Sequence, residues 1–155
     1  MAKIRAFIAC DIPEALLERI SSIQDKLKGL DAEVGWTKVS SIHLTIRFLG
    51  DIEEGLVDKV DAVIKEASKG QPPFDIGIKG SGFFPNLKNP RVIWLGVDDG
   101  AKGLTSLQQG LEDGLNALGF EPEEREFRPH LTLGRVKGQK GKESLSSAVF
   151  GLKDI

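Results

Sequence analysis

Two stretches decide how this chain reads: HLTIRFLG at residues 43–50 and RPHLTLGR at residues 128–135. Inside them, His43-Leu44-Thr45-Ile46 recurs 87 residues later as His130-Leu131-Thr132-Leu133. The repeat contains both of the histidines that the chain possesses. In each copy apolar and polar residues alternate, and a period of two predicts a strand. Side chains two apart on a strand share a face. His43 and Thr45 therefore point one way with Leu44 and Ile46 behind them, and His130 and Thr132 do the same with Leu131 and Leu133. Each half of the chain offers an imidazole beside a hydroxyl. Halves related by a pseudo-twofold axis would set the two pairs facing each other across a cleft.

Working outward, Ile4, Ala6, Ile8 and Cys10 alternate with Arg5, Phe7 and Ala9, which predicts a first strand. Pro13 suits a helix start. Leu16, Leu17, Ile20, Ile23, Leu27 and Leu30 then mark an amphipathic helix. Residues 33–39 read as a short strand and 42–49 as the first motif strand, with Gly50-Asp51 turning into a second helix. Leu56, Val57, Val60, Ile64 and Ala67 form its stripe, ended by Gly70. Phe74, Ile76 and Ile78 alternate as a strand, residues 80–90 read as a loop, and residues 91–97 as a strand. Leu104, Leu107, Leu111, Leu115 and Leu118 give a third helix, which Gly110 and Gly114 weaken by about 1 kcal/mol each relative to alanine. Residues 130–136 are the second motif strand, and the tail from Lys142 adds a short helix. The order is β-α-β-β-α-β-β-α-β, an α+β arrangement with helices on one face of each sheet.

Composition narrows the chemistry. With 155 residues the chain suits one domain. One cysteine, Cys10, excludes an intrachain disulfide and a cysteine-rich zinc site, and the lack of tyrosine excludes a tyrosine nucleophile. Cys10 reads as a buried, inert thiol. No apolar run approaches the ~20 residues of a bilayer span, and the N-terminus does not read as a signal peptide. A cytoplasmic location is expected. The net charge of −2 argues against a protein that coats nucleic acid non-specifically. It conceals a segment, residues 125–142, with six basic residues and one acidic residue, which is either a solvated basic loop or a local anion site around His130.

Two imidazoles and two hydroxyls suit phosphodiester chemistry. A neutral imidazole takes a proton from an attacking water, and an imidazolium gives one to the leaving oxygen. Histidine holds either state near neutral pH. Threonine hydroxyls donate to the non-bridging phosphate oxygens, where charge accumulates. No metal or other cofactor is demanded.

The two stretches resemble the HxTx motifs of the two-histidine (2H) phosphoesterase superfamily, and most closely its RNA 2′,3′-cyclic phosphodiesterase branch, also called 2′-5′ RNA ligases. RAFIACDIP at residues 5–13, GFFP at 82–85 and PRVIWLGV at 90–97 are similar to that branch too. The resemblance implies an α+β fold of two pseudo-symmetric lobes. Each is mostly antiparallel sheet with helices outside, and the motif strands line a central groove. It implies one domain over residues 1–155, acting as a monomer. Members of the branch continue through a helix into a further strand, so this chain is expected to lack a C-terminal strand. The implied activity is metal-independent hydrolysis of 2′,3′-cyclic phosphate ends of RNA, or of nucleotides, to 2′-phosphomonoesters. Reverse 2′-5′ ligation, in which a cyclic end is joined to a 5′-hydroxyl, is a further reaction that the resemblance implies. His43 is the implied proton donor and His130 the acceptor, with Thr45 and Thr132 holding the phosphate. A non-catalytic RNA- or nucleotide-binding module of the same fold is the alternative.

Several residues stay open at this level. Arg135 is a candidate phosphate ligand. Strict alternation puts it on the face opposite His130, unless Gly134 allows a bulge. Phe7 either stacks on a base or packs in the core. Arg47 shares the parity of His43 but reads as a solvated strand end. Phe48, Phe127 and Trp94 read as packing residues, and Phe83 and Phe84 as loop residues that could rim the groove.

Overall fold

The computed structural model describes residues 2–86, 88–98 and 100–150. Its elements are β1 (Lys3–Cys10), α1 (Glu14–Lys28), β2 (Val34–Trp36), β3 (Leu44–Glu53), α2 (Val57–Lys69), β4 (Ile78–Phe84), β5 (Val92–Val97), α3 (Ala101–Ala117), β6 (His130–Val136) and α4 (Lys142–Phe150). The α+β class and the order of strands and helices agree with the sequence reading. The last five residues of the expected tail helix lie outside the described residues.

Three boundaries differ. β3 runs through Gly50-Asp51 to Glu53, because Gly50 takes a positive φ of 73° without ending the strand. Phe74 and Ile76 precede β4 and are 39% and 38% exposed, so their alternation marks no strand. Residues 80–84, read as loop, form most of β4, because pairing with β5 overrides the weak strand preference of their glycines.

The chain divides into two compact units: Met1–Ala9, Thr45–Ile76 and Asp99–Pro129 form the first, and Cys10–Leu44, Gly77–Asp98 and His130–Ile155 the second. The first holds the two-stranded β1-β3 sheet and helices α2 and α3. Gly110 and Gly114 let these helices approach closely. A Cβ on Gly114 would lie 2.6 Å from Val63 Cγ1, and one on Gly110 would lie 3.5 Å from Ala67 Cβ. The glycines that weaken the isolated helix thus form its packing surface. Arg47 is buried in this unit. Its Nε donates to Glu112 of α3, its Nη1 to the Phe48 carbonyl at 2.6 Å and its Nη2 to the Glu121 carbonyl at 2.6 Å. The solvated strand end expected for Arg47 is therefore replaced by a buried ion pair.

The second unit carries the antiparallel sheet β2-β6-β5-β4. Phe83, Ile93, Leu95, Leu131 and Leu133 are buried from its strands, Ile20 and Leu27 from α1, and Leu145 and Val149 from α4. Alternation in β4, β5 and β6 places those five strand residues on one face, the face that the helices cover. α4 packs on β4 and is fastened by the Ser81 hydroxyl, which donates to the Val149 carbonyl at 2.6 Å. Gln24 of α1 is buried, and its Nε2 donates to the carbonyls of Thr37 and Leu133 at 2.8 and 2.9 Å.

Candidate active site

The second motif occupies β6. Its neighbour β5 sets His130 opposite Gly96, Leu131 opposite Leu95 and Thr132 opposite Trp94. Directly opposed residues of an antiparallel pair share a face. His130 and Thr132 therefore stand half-buried beside Trp94 on the face opposite the one that α1 and α4 cover, with Leu131 fully buried behind them.

The register then slips. Ile93 opposes Gly134 while Trp94 opposes Thr132, so Leu133 is an extra residue in β6, a β-bulge. Gly134 is held to a bare backbone there, since a Cβ would lie 2.8 Å from Val34 Cγ1 and 3.1 Å from Trp36 Cε3. Beyond the bulge Arg135 opposes Val92, which shares the parity of Trp94. Arg135, which is exposed, thus comes onto the face of His130 and Thr132. Strict alternation fails here through one inserted residue, and the insertion sits at Leu133 rather than at Gly134. The Leu133 carbonyl is held by the Thr37 N–H at 2.9 Å and by Gln24. No local pattern in the sequence signals that Gln24 fixes the bulge.

The first motif straddles the boundary between the units. A 3₁₀ turn at Val39–Ser41 packs against α1, the Ile42 N–H closes on the Val39 carbonyl at 3.1 Å, and Ile42 is buried. Half-buried His43 follows and belongs to the second unit together with His130 and Thr132. Half-buried Thr45 opens the first unit's part of β3. Both histidines and Thr132 thus belong to the second unit, and Thr45 belongs to the first.

An aromatic ring packs against His130. The Phe84 ring meets its imidazole edge-on, with centroids 4.9 Å apart and planes at 88°, and lies 5.2 Å from the Trp94 ring. Phe83, the other residue expected at a groove rim, is core. In the first unit Phe7 is 45% exposed and Phe48 56% exposed, with ring centroids 6.1 Å apart. Phe48, read as packing, and Phe7 together form an exposed aromatic pair.

The basic segment is divided between the two units. Arg125 and Arg128 fall in the first unit, beside Glu123 and Glu126, and Arg135, Lys137, Lys140 and Lys142 fall in the second. Lys140 pairs with Asp31 at 3.1 Å, and Lys142 donates to the Lys88 carbonyl at 2.7 Å. Cys10 is half-buried rather than buried, and burial first, then the Asp11 carboxylate, holds its thiol above the ordinary range. Among the described residues, no three His, Cys, Asp or Glu side chains gather as metal ligands would. Among those residues, too, no helix is long and apolar enough to cross a membrane.

A family model for the 2′-5′ RNA ligase superfamily matches residues 12–152. The chain is 39% identical over 153 residues to the RNA 2′,3′-cyclic phosphodiesterase of Methanothermobacter thermautotrophicus, covering 99% of this chain and 82% of that protein. A relative of the same name from Methanocaldococcus jannaschii is 34% identical over 98% of this chain and 83% of its own length. Among solved structures, TT0787 of Thermus thermophilus superposes with a TM-score of 0.77 at 27% identity, over 88% of this chain and 76% of that one. E. coli LigT complexed with 3′-AMP gives 0.71 at 27% identity, over 90% and 76%. The match across the chain, with both motifs inside it, makes this protein a member of the 2′-5′ RNA ligase superfamily.

Proposed function

We propose that this protein is an enzyme that hydrolyses 2′,3′-cyclic phosphate ends of RNA, or nucleotide 2′,3′-cyclic phosphates, to 2′-phosphomonoesters. The observation that carries the reading is that His130, Thr132 and Arg135 share one sheet face, opposite the one that α1 and α4 cover, within a chain 39% identical to an RNA 2′,3′-cyclic phosphodiesterase. His130 accepts a proton from water as the water oxygen attacks phosphorus. The bond from phosphorus to the 3′ oxygen breaks, and His43 gives that oxygen a proton. The products are a 3′-hydroxyl and a 2′-phosphate. Thr45 and Thr132 donate to the non-bridging oxygens as their charge grows. Arg135 adds a charge-assisted contact to the same group. Phe7 offers its exposed ring to a base, the stacking that RNA sites favour. With a 5′-hydroxyl in place of water as the nucleophile, the same steps join the cyclic end to it through a 2′-5′ linkage, the 3′ oxygen again leaving with the proton from His43. With water in large excess, hydrolysis dominates. One domain acting as a monomer suffices for these steps.

The test is incubation with 2′,3′-cyclic AMP in EDTA, with the product identified. A 2′-phosphate formed without divalent ions is expected, and His43→Ala or His130→Ala abolishes its formation while the melting curve stays cooperative. A 3′-phosphate, dependence on a divalent ion, or an active histidine variant overturns the assignment. RNA binding without turnover would support a binding module instead.

A further inference from the structure

We propose that Phe84 is a positioning residue for His130, and that Trp94, seated over Gly82 and Gly96, backs it. The inference rests on the catalytic reading of His130 given above. Phe84 ends β4 on the parity of Gly82, which opposes Trp94, and Trp94 opposes Thr132. Phe84, Trp94, Thr132 and His130 therefore share one sheet face. The edge-on contact at 4.9 Å and 88° is a preferred aromatic geometry, which restrains rotation of the imidazole about its side-chain bonds.

Phe84 is itself held. The Trp94 ring lies 5.2 Å from it, with planes at 31°. The indole has no room to shift toward the strands. A Cβ on Gly82 would lie 2.5 Å from Trp94 Cζ2, and one on Gly96 would lie 3.2 Å from Trp94 Cζ3 and 2.9 Å from the Lys79 carbonyl. The Trp94 Nε1 is buried and has no hydrogen-bond partner among the described residues. An indole chosen for polar contacts would not leave its N–H so, and the ring serves here as a flat wall. Two glycines, one on each of two neighbouring strands, thus make the space for a three-ring stack that ends on His130. A general base must meet its proton within hydrogen-bond reach, so restraint of the ring acts on turnover more than on binding.

The experiment compares Phe84→Leu, Phe84→Tyr and His130→Ala in the full chain, with 2′,3′-cyclic AMP as the probe. It also follows the histidine Cε1–H signals by NMR, of which two are expected. Phe84→Leu should lower kcat about 3- to 10-fold with KM changed less than about 2-fold, the scale of one lost aromatic contact. Phe84→Tyr, which keeps the ring, should recover most of that loss. In the Leu variant the His130 signal should shift by loss of the ring current while the His43 signal stays. Equal losses in Leu and Tyr, a rise in KM alone, or an unmoved His130 signal overturns the proposal. If His130→Ala is inactive and Phe84→Leu is not impaired, only this inference fails. If His130→Ala retains turnover, the catalytic reading itself fails.

Discussion

Removing Arg47 should cost stability rather than catalysis. Its side chain is 8% exposed and that of its partner Glu112 is 16% exposed, so the pair is shielded from water. Arg47→Met leaves the Glu112 carboxylate uncompensated, together with the carbonyls of Phe48 and Glu121. Breaking a buried pair from one side costs about 3–5 kcal/mol. In a chain of this length that loss lowers Tm by about 6–20 °C. Adding Glu112→Leu removes the stranded charge, but the Glu123 N–H, which donates to the second Glu112 oxygen at 3.3 Å, loses its acceptor. The double variant should therefore recover part of the loss, with a coupling energy of about 1–3 kcal/mol. Urea unfolding of the four proteins of the cycle measures each value. Turnover of 2′,3′-cyclic AMP well below Tm should stay within about 2-fold for all four. A loss below about 1 kcal/mol for Arg47→Met, or a double variant no better than the single one, would show that the pair is solvated after all.

Two further substitutions probe the scaffold. Gly110→Ala should raise Tm, because its Cβ meets Ala67 at an ordinary 3.5 Å and the helix gains about 0.5–1 kcal/mol. Gly114→Ala should lower it, because 2.6 Å to a branched Val63 forces overpacking of about 1–3 kcal/mol. Shifts of the same sign would refute the close-approach account. Gln24→Leu withdraws the donor shared by the Thr37 and Leu133 carbonyls and should cost about 1–3 kcal/mol by urea unfolding. An unchanged midpoint would mean that the bulge holds itself.

The succession of strands and helices was legible in the sequence because apolar period is a local property, and so were the two His-x-Thr pairs. The local pattern could not supply partners. Residues 80–84 look like a loop, with two glycines among five residues, until β5 pairs with them and Phe84 meets His130. Arg47 looks like a solvated strand end until α3 brings Glu112 to it. Alternation put Arg135 on the wrong face because one bulged residue inverts every parity beyond it. The sequence alone narrowed the candidates for proton transfer, since histidine is the side chain type that ordinarily changes charge near neutral pH and the chain has two. The tertiary structure decided which side chains share a face with His130 and which are spent on the core. Register, bulges and helix packing are set by residues far apart in the chain, where local periodicity carries no information.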